Sequence, residues 1–519
     1  MTSDAAPGTN VGTADRAADE RGTTPSLLAR LTRATADLDG PLAVVDLDRF
    51  DALSWTNWAR TASATPRRRA SPRDEAELGD LVARAAADGT TVRAVGAGHS
   101  FTPAAVTDGL LLNLDRIGLV ERITRGTSTP GEADADAILV TVGAGIRLHR
   151  LNEALAAAGL AMRNLGDIDR QSIAGAISTG THGTGAGLGG LATQVRGVRV
   201  VGADGEVREA SATQDRDLFE LSRLGLGVTG VLSAVTLEVV PAFLLRAQEE
   251  PWPLDRVLEG LGTPDDVDGL VGGNDHFEFY WFPHTRRALT KRNNRLAPDE
   301  EAAELERLRT TGPGPVARAR TWVDEELLSN GAFELVNRLA TAVPRVTPRL
   351  NAVSARALAP RTYVAPSYQV FVTSRRVRFR EMEYAVPRER LVDVLSSIDD
   401  WLNRSGEHVP FPVEVRFAAP DDVWLSTAHG RETAYVAVHQ YARLPHDRYF
   451  DAVERIVAEV DGRPHWGKLH GLDADRFRAL YPRFDDAVAV RDAADPGGVF
   501  ANAYTDRVLG RAAGATAGG

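Results

Sequence analysis

The chain has 519 residues, a formal net charge of −11, 43% hydrophobic residues and 25% charged residues. That length allows two or three domains around a large core. The composition is that of a soluble globular protein, and the acidic balance excludes a nucleic-acid footprint. Cysteine is absent, which excludes disulfides, thiolate metal sites and cysteine nucleophiles, and no apolar run approaches the ~18 residues of a membrane span.

The first two dozen residues, MTSDAAPGTNVGTADRAADERGTT, are polar and small with no apolar core of a leader, and predict a disordered tail on a cytoplasmic protein. Arg67-Arg68-Arg69 lies too far inside the chain for a twin-arginine export signal, and ASPRDEAEL follows where an apolar run would be needed. A helical patch, SLLARLTRATADL, and a short apolar run, PLAVVDL, fill most of residues 25–53 without a readable role. From Ser71 the pattern predicts a helix with proline and acids in its first turn and Leu78, Leu81, Val82 and Ala85 on one stripe. Gly89 ends it, and Thr91 to Val95 reads as a strand.

Gly96-Ala97-Gly98 follows that strand directly and lets the backbone turn and approach another molecule. Successive backbone N–H groups in such a turn form an anion nest suited to a phosphate-bearing ligand, and His99 and Ser100 stand beside it. Strands are predicted at 110–114 and 138–146, then a helix with Leu148, Leu151 and Leu155 on one face and Gly159 at its C-cap. Residues 172–187, SIAGAISTGTHGTGAG, are too small to fill a core. With Ile168, Ile173 and Ile177 as anchors, they suit a segment lying along a flat ligand and donating hydrogen bonds to a pyrophosphate. VRGVRVVGADGEVREAS predicts a hairpin around Ala203-Asp204-Gly205. Gly225 to Gly230 spells GxGxxG, but a helix precedes it and a strand follows, the reverse of the order a Rossmann turn needs. Pro241 closes the first domain.

Beyond residue 243, HFEFYWFP, RFREMEYAVP, PVEVRFAAP and TAYVAVHQYA alternate with helical stretches such as RERLVDVLSSIDDWL and DRYFDAVERIVAEV. This predicts a mixed or antiparallel sheet with helices on one face. On the strand PVEVRF, Glu414 and Arg416 share a face. On TAYVAVHQY, Tyr435, Ala437, His439 and Tyr441 share one, so neighbouring strands would bring Glu414, Arg416, His439 and Tyr441 together. By pattern alone the Glu–Arg pair equally describes a weak surface ion pair. The chain has two lysines, Lys291 and Lys468, among 60 basic residues. Lys468 follows His465-Trp466-Gly467, and a compact ammonium there, where the chain otherwise writes arginine, points to a role for a point charge. Residues 296–360 read as an insertion of unknown purpose.

GAGHSF followed by SIAGAISTGTHGTG resembles the vanillyl-alcohol-oxidase superfamily of FAD enzymes. Glu414–Arg416 and HWGK narrow the likeness to the sugar-1,4-lactone and alditol oxidase branch. NDHFEFYWFP, EMEYAVPRE, FPVEVRFAAPDD, VAVHQYA and RPHWGK are similar to actinobacterial L-gulono-1,4-lactone dehydrogenases, and the likeness runs from about Trp55 to Gly510. It implies an α+β fold: a two-subdomain FAD-binding domain of the vanillyl-alcohol-oxidase type and a substrate, or cap, domain on a mostly antiparallel sheet with helices. The expected boundaries are an N-terminal extension over 1–54, the FAD domain over 55–242, the cap domain over 243–470, a return onto the FAD domain over 471–510 and a tail over 511–519.

The resemblance further implies oxidation of a sugar-derived lactone of the L-gulono-1,4-lactone or D-arabinono-1,4-lactone type by hydride transfer to flavin N5, with an alditol such as xylitol or sorbitol as the rival substrate. It implies FAD bonded through His99. Contacts to FAD are expected from Val95, Gly96, Ala97, Gly98, His99, Ser100 and Phe101, from Ser172, Gly175, Ile177, Gly180, Thr181, His182, Gly183, Thr184 and Gly185, and from Gly230, Val231, Val235, His465 and Asn502. Arg416 and Lys468 are the candidate cations near the reduced flavin. Glu414 would orient Arg416, Glu381 would contact a substrate hydroxyl, and either His439 or Lys468 would take the hydroxyl proton. The acceptor of electrons is expected to be oxygen or a redox protein or quinone-type molecule, with no metal, no nucleic acid and no membrane span.

Overall fold

The computed structural model describes residues 54–125, 137–262, 268–311, 332–373 and 377–512. The expectations for the N-terminal extension through residue 53, and for the tail from residue 513, lie outside the described residues.

The first half opens as the sequence predicts. Asp74 sits in extended backbone and its carboxylate accepts the Glu77 N–H, with Glu75 and Glu77 in the first turn of the helix Glu75–Ala87. Both features satisfy or complement the free N–H groups of a helix start. Leu78, Leu81, Val82 and Ala85 face inward, and burying one such leucine or valine contributes roughly 1.5–3 kcal/mol. The helix is the crossover between parallel strands: Arg68–Ala70 and Val92–Val95 flank Leu110–Asn113 in a small three-stranded sheet. A second, antiparallel sheet runs in the order Val207–Ser211, Val195–Val201, Val231–Pro241, Ile138–Gly143, Val120–Arg125. It shares one core with the helices Leu148–Ala157 and Ile173–Ser178 through Val140, Val142, Leu151, Leu155, Ile173, Ile177 and Val235. The order around GLGVTG is as expected, with the helix Arg216–Ser222 before it and the strand Val231–Pro241 after it.

The second half is an eight-stranded sheet in the order Arg361–Pro366, Leu244–Pro253, Arg287–Arg295, His276–Trp281, Val413–Ala418, Thr433–Tyr441, Phe379–Pro387, Arg463–Pro464. Its pairings are antiparallel. Alternation gives it two unlike faces. Phe277, Phe279, Trp281, Val413, Val415, Phe417, Val436 and Val438 form the back. The helices Leu391–Ser405 and Asp447–Ala458 cover it with Val394, Leu395, Ile398, Tyr449, Val453 and Val457. The front carries Glu278, Tyr280, Lys291, Glu381, Glu383, Glu414, Arg416 and His439. The strands 244–253, 287–295 and 361–366 escape the sequence reading. RALTKRNNR has no alternating apolar pattern, because after Ala288 its back-facing residues, Thr290, Arg292 and Asn294, are polar like Lys291 and Asn293 on the front. The segment 296–360, read as an insertion, holds the helices Pro298–Thr311, Ala332–Ala342 and Thr347–Ala357.

The C-terminal segment closes back onto the first half. Val92 N–H donates to the Val499 carbonyl at 2.8 Å, and the buried Arg93 guanidinium donates to the carbonyls of Phe500 and Leu226, each at 2.6 Å. Asn502 caps the helix Ala503–Leu509, its oxygen accepting the Thr505 N–H at 2.9 Å. Its amide nitrogen donates to the carbonyls of Pro103, Ala104 and Val106 at 3.1, 3.1 and 2.9 Å. Asn502→Ala removes the cap and leaves those carbonyls short of a donor. We expect it to lower unfolding stability by about 1–2 kcal/mol, read from denaturant titration; an unchanged midpoint would refute the bridging role.

Candidate active site

Two adjoining cavities mark the site, the first walled by the first half and the C-terminal return, the second lying between the halves. The first spans about 1040 Å³ counting its open mouth and is walled by Val92 to Ser100, by Gln171, Ser172, Ala174, Gly175, Ser178 and Thr179, and by Leu226, Gly227, Gly230, Val231, Leu232 and Phe500. The turn after the strand 92–95 gives it its shape. Gly98 has φ +68°, and a Cβ on Gly96 would lie 2.4 Å from Ser172 Oγ, so the turn and the start of the helix 173–178 touch only because Gly96 has no side chain. Among the described residues, the backbone N–H groups of Ala97, Gly98, His99 and Ser100 bond no chain acceptor. A long cleft with small-residue walls and a run of unpaired donors fits a flat dinucleotide carrying a pyrophosphate.

Helical periodicity sorts the small-residue segment. Ser172 caps the helix by accepting the Gly175 N–H, Ile173 and Ile177 turn into the core, and Ala174, Gly175, Ser178 and Thr179 face the cleft. Beyond the helix the chain crosses to the other half. Thr184 Oγ1 donates to the Phe277 carbonyl and accepts the Phe417 N–H, and Gly185 N–H donates to the Phe417 carbonyl at 2.9 Å. The segment expected to lie along a flat ligand is thus half helix and half stitch between the halves.

The second cavity, about 580 Å³, shares His99, Ser100, Gln171 and Thr179 with the first. Its other walls include Trp58, Phe101, Asp167, Thr181, His182, Phe379, Glu383, Arg416, His465 and Lys468. His99 stands at the junction, stacked on Trp58 with ring centroids 5.7 Å apart. Burial, with the charges of Lys468, Arg147 and Arg170, pushes its imidazole down to about 4, so at neutral pH the ring is uncharged and keeps a nucleophilic nitrogen.

The strands 413–418 and 433–441 are neighbours, with Glu414 opposite Ala437 and Arg416 opposite Tyr435. Arg416 is clasped by Glu414, by Glu278 at 2.9 Å from Nε, and by Asp167 at 3.5 Å. Burial alone would lower Arg416, but Glu414, Asp167 and Glu278 raise it well above its ordinary value. Tyr280 donates its hydroxyl to Glu278 and Glu414 at 3.2 and 3.1 Å. Lys468 Nζ lies 2.5 Å from Glu381 and 3.9 Å from Glu383, with the Phe101 ring centroid at 5.2 Å. Burial would raise Glu381; Lys468 and then His439 overcome it and hold the carboxyl at about 2. His439 presents Nε2 to Glu381 at 3.4 Å and to Glu414 at 4.0 Å, while Nδ1 donates to the Pro412 carbonyl at 3.4 Å. Tyr441 does not join this group: its ring packs with Phe379 and Phe411 and its hydroxyl donates to Glu334 at 2.7 Å.

Of the residues expected to contact a cofactor, Val95 to Ser100, Ser172, Gly175, Gly230 and Val231 line the first cavity, and Phe101, Thr181, His182 and His465 the second. Ile177 and Val235 are core side chains, Asn502 is a cap, and Gly180, Gly183, Thr184 and Gly185 line neither cavity. Of the expected catalytic residues, Arg416 and Lys468 line the second cavity, with Glu414, Glu381 and His439 packed behind them. Sequence reasoning missed Asp167, Glu278, Tyr280, Lys291 and Glu383. EMEY, with two glutamates two apart on one strand face, carried a signal for Glu383, and the second lysine carried one for Lys291. His182, Glu383 and His465 bring ligand-type atoms within 4.8 Å of one another. A cation there would face the Lys468 ammonium, and the Nδ1 atoms of His182 and His465 are engaged by the Gly183 carbonyl and the Gly467 N–H; we assign no metal to it.

The sequence profile of an FAD-binding domain matches residues 66–211, and that of D-arabinono-1,4-lactone oxidase matches residues 235–508. The chain is 41% identical to an L-gulono-1,4-lactone dehydrogenase of Mycobacterium tuberculosis over 456 residues, 88% of this chain and 99% of the relative. It is 31% identical to an alditol oxidase of Streptomyces over 462 residues, 88% of this chain and 98% of the relative. Among solved structures, a solvent-stable cholesterol oxidase superposes with a TM-score of 0.67 at 17% identity, over 89% of this chain and 98% of that one, a likeness of fold.

Proposed function

This chain belongs to the D-arabinono-1,4-lactone oxidase family of FAD-dependent oxidoreductases, and from that premise we propose that it oxidises a sugar-derived 1,4-lactone of the L-gulono or D-arabinono type at a carbinol carbon. The observation that carries the reading is the adjacency of the two cavities: a long cleft and a pocket walled by Arg416 and Lys468 share His99, Ser100, Gln171 and Thr179 as common walls. FAD, the cofactor, supplies the acceptor for the hydride leaving the carbinol carbon.

The chain's own residues bind, orient and move the proton. Asp167 and Glu383 offer carboxylate oxygens to ring and side-chain hydroxyls of a sugar. Arg416, fixed by Glu414, Glu278 and Asp167, presents a permanent positive charge that favours developing negative charge on the reacting partners. Lys468 on the pocket wall and His439 behind Glu381 are the two candidate bases for the hydroxyl proton, and Glu381, held ionised beside the ammonium, fixes the lysine in place.

His99 is the residue we expect to bond the flavin. Its neutral, half-buried imidazole at the junction of the cavities supports this. After acid precipitation the wild-type pellet should stay yellow, and His99→Ala should release its flavin to the supernatant. A colourless wild-type pellet from a yellow protein would refute the covalent bond and leave FAD binding intact. An alditol is the second reading, favoured by the hydroxyl-accepting Asp167 and Glu383; comparing lactone and polyol substrates decides it. Among the described residues no helix is long and apolar enough to cross a membrane. The reading includes a cytoplasmic site of action and oxygen or a redox protein or quinone-type molecule as electron acceptor, which reoxidation in air against reoxidation by a quinone dye separates.

A further inference from the structure

A row of alternating charge crosses the eight-stranded sheet and ends on Arg416. On successive strands the register sets Arg361 opposite Glu249, Glu249 opposite Lys291, and Lys291 opposite Glu278. Glu278 then accepts from Arg416 Nε at 2.9 Å on the next strand. The ion-pair distances are 2.8 Å for Arg361–Glu249 and 3.3 Å for Lys291–Glu278. Directly opposed side chains on one sheet face are close enough to interact, and opposite charges there stabilise the pairing. The row starts at the edge strand, where the Arg361 side chain is 51% exposed, and runs inward to Lys291 and Glu278, whose side chains are 15% and 11% exposed. Lys291 is one of two lysines in the chain; the other, Lys468, lines the pocket. Its ammonium also lies 4.9 Å from the centroid of the Tyr280 ring, whose hydroxyl bonds both Glu278 and Glu414.

We propose that Lys291 is a positioning residue: it keeps Glu278 charged and in place, and Glu278 in turn keeps Arg416 aimed at the substrate pocket. The inference rests on the reading of Arg416 as the catalytic cation. The groups facing Glu278 are Arg416 and Glu414 from the strand 413–418, Lys291 from 287–295, Tyr280 from its own strand, and Asp167 from the loop before the helix 173–178. Those facing Lys291 are Glu278, Tyr280, Glu249 and Tyr363. Burial would raise Glu278, yet Arg416 and then Lys291 hold it below its ordinary value. Glu278 is therefore ionised across the working pH range and its titration leaves no mark on the wild-type enzyme.

Removing the lysine reverses that. In Lys291→Met the Glu278 carboxyl loses a cation, so its pKa rises and it takes up a proton at a pH where the wild type does not. Protonated, it pairs less strongly with Arg416. For the FAD-loaded variant reduced by L-gulono-1,4-lactone without oxygen, we expect a new acidic limb: a rate loss of at least ~10-fold near about pH 5.5 that shrinks toward about pH 8.5. Thermal unfolding should move the other way. At high pH the variant holds Glu249 and Glu278 with one cation fewer and is most destabilised, and the gap to wild type narrows as Glu278 is protonated.

Adding Glu278→Gln to Lys291→Met should abolish the limb, because the titrating group is gone. Lys291→Met with Glu249→Gln is charge-balanced and serves if the single variant fails to fold; it should keep the limb, since Glu278 still lacks its lysine. A merely structural lysine predicts rate profiles that superimpose on wild type after scaling, and that result in Lys291→Met, or in Lys291→Met with Glu249→Gln, overturns the proposal. Wild-type reduction rates in Arg416→Ala would instead overturn the underlying assignment of Arg416, whatever the Lys291 profiles show.

Discussion

Arg416→Ala is expected to slow anaerobic reduction of the bound flavin by roughly 10³-fold, about 4 kcal/mol of barrier, while FAD content stays that of the wild type. The side chain is 10% exposed and lines the second cavity, not the cleft that holds the turn at Gly96–Ser100. Its loss therefore removes charge from where the chemistry occurs and leaves the dinucleotide walls in place. It also leaves Glu414, Glu278 and Asp167 facing one another without their shared cation, so the pocket changes sign as well as losing a donor. A buried carboxylate deprived of its partner costs several kcal/mol unless it takes up a proton, so part of the loss should recover as pH falls. Arg416→Lys restores the charge but not the fork that meets Glu414, Glu278 and Asp167 together, and should fall between wild type and alanine. Loss of FAD, or a rate within a few-fold of wild type, would count against the assignment.

Lys468 tests the other side of the pocket. Its ammonium fits between Glu381 at 2.5 Å and Glu383 at 3.9 Å over the Phe101 ring. Arginine is longer, planar and does not give up its proton. Lys468→Arg is therefore expected to lower the reduction rate at least ~10-fold, about 1.4 kcal/mol, and Lys468→Met at least ~100-fold, about 2.7 kcal/mol. Folding and FAD content should be unchanged, since the added bulk points into a cavity. Were Lys468 a surface residue with its charge in water, lysine and arginine would be nearly equivalent. Stopped-flow reduction of Lys468→Arg at a rate within twofold of wild type sinks the active-site role.

Residues that share a strand face were legible in the sequence. Alternation put Glu414 with Arg416, and Tyr435 with His439, on single faces, and the strands 413–418 and 433–441 are indeed paired. Which further strands lie beside them was not legible, because a two-residue period says nothing about neighbours distant in the chain. Glu278 reaches Arg416 from 138 residues away, and Lys291 reaches Glu278 from a strand whose polar sequence hides it. Motif likeness names whole runs of residues, and the structure sorts each run by side-chain direction. In SIAGAISTG the helical period turns Ile177 into the core while its neighbours Ala174 and Ser178 face the cleft. Val235 is likewise inward on its strand, and Asn502, close to the cleft residue Phe500, serves as a cap and a tie to residues 103–106. The turn at Gly96–Gly98 was the clearest case, since tight backbone geometry is written in the residues that make it.

The measurement that bears most directly on the account is anaerobic mixing of the yellow protein with a panel of aldono-1,4-lactones and alditols, followed at the flavin's visible absorbance. The account predicts rapid bleaching by L-gulono-1,4-lactone or D-arabinono-1,4-lactone, slower or no bleaching by xylitol and sorbitol, and loss of the fast phase in Arg416→Ala. A flavin that every lactone and polyol leaves oxidised, in protein that folds and carries its full complement of FAD, would contradict it.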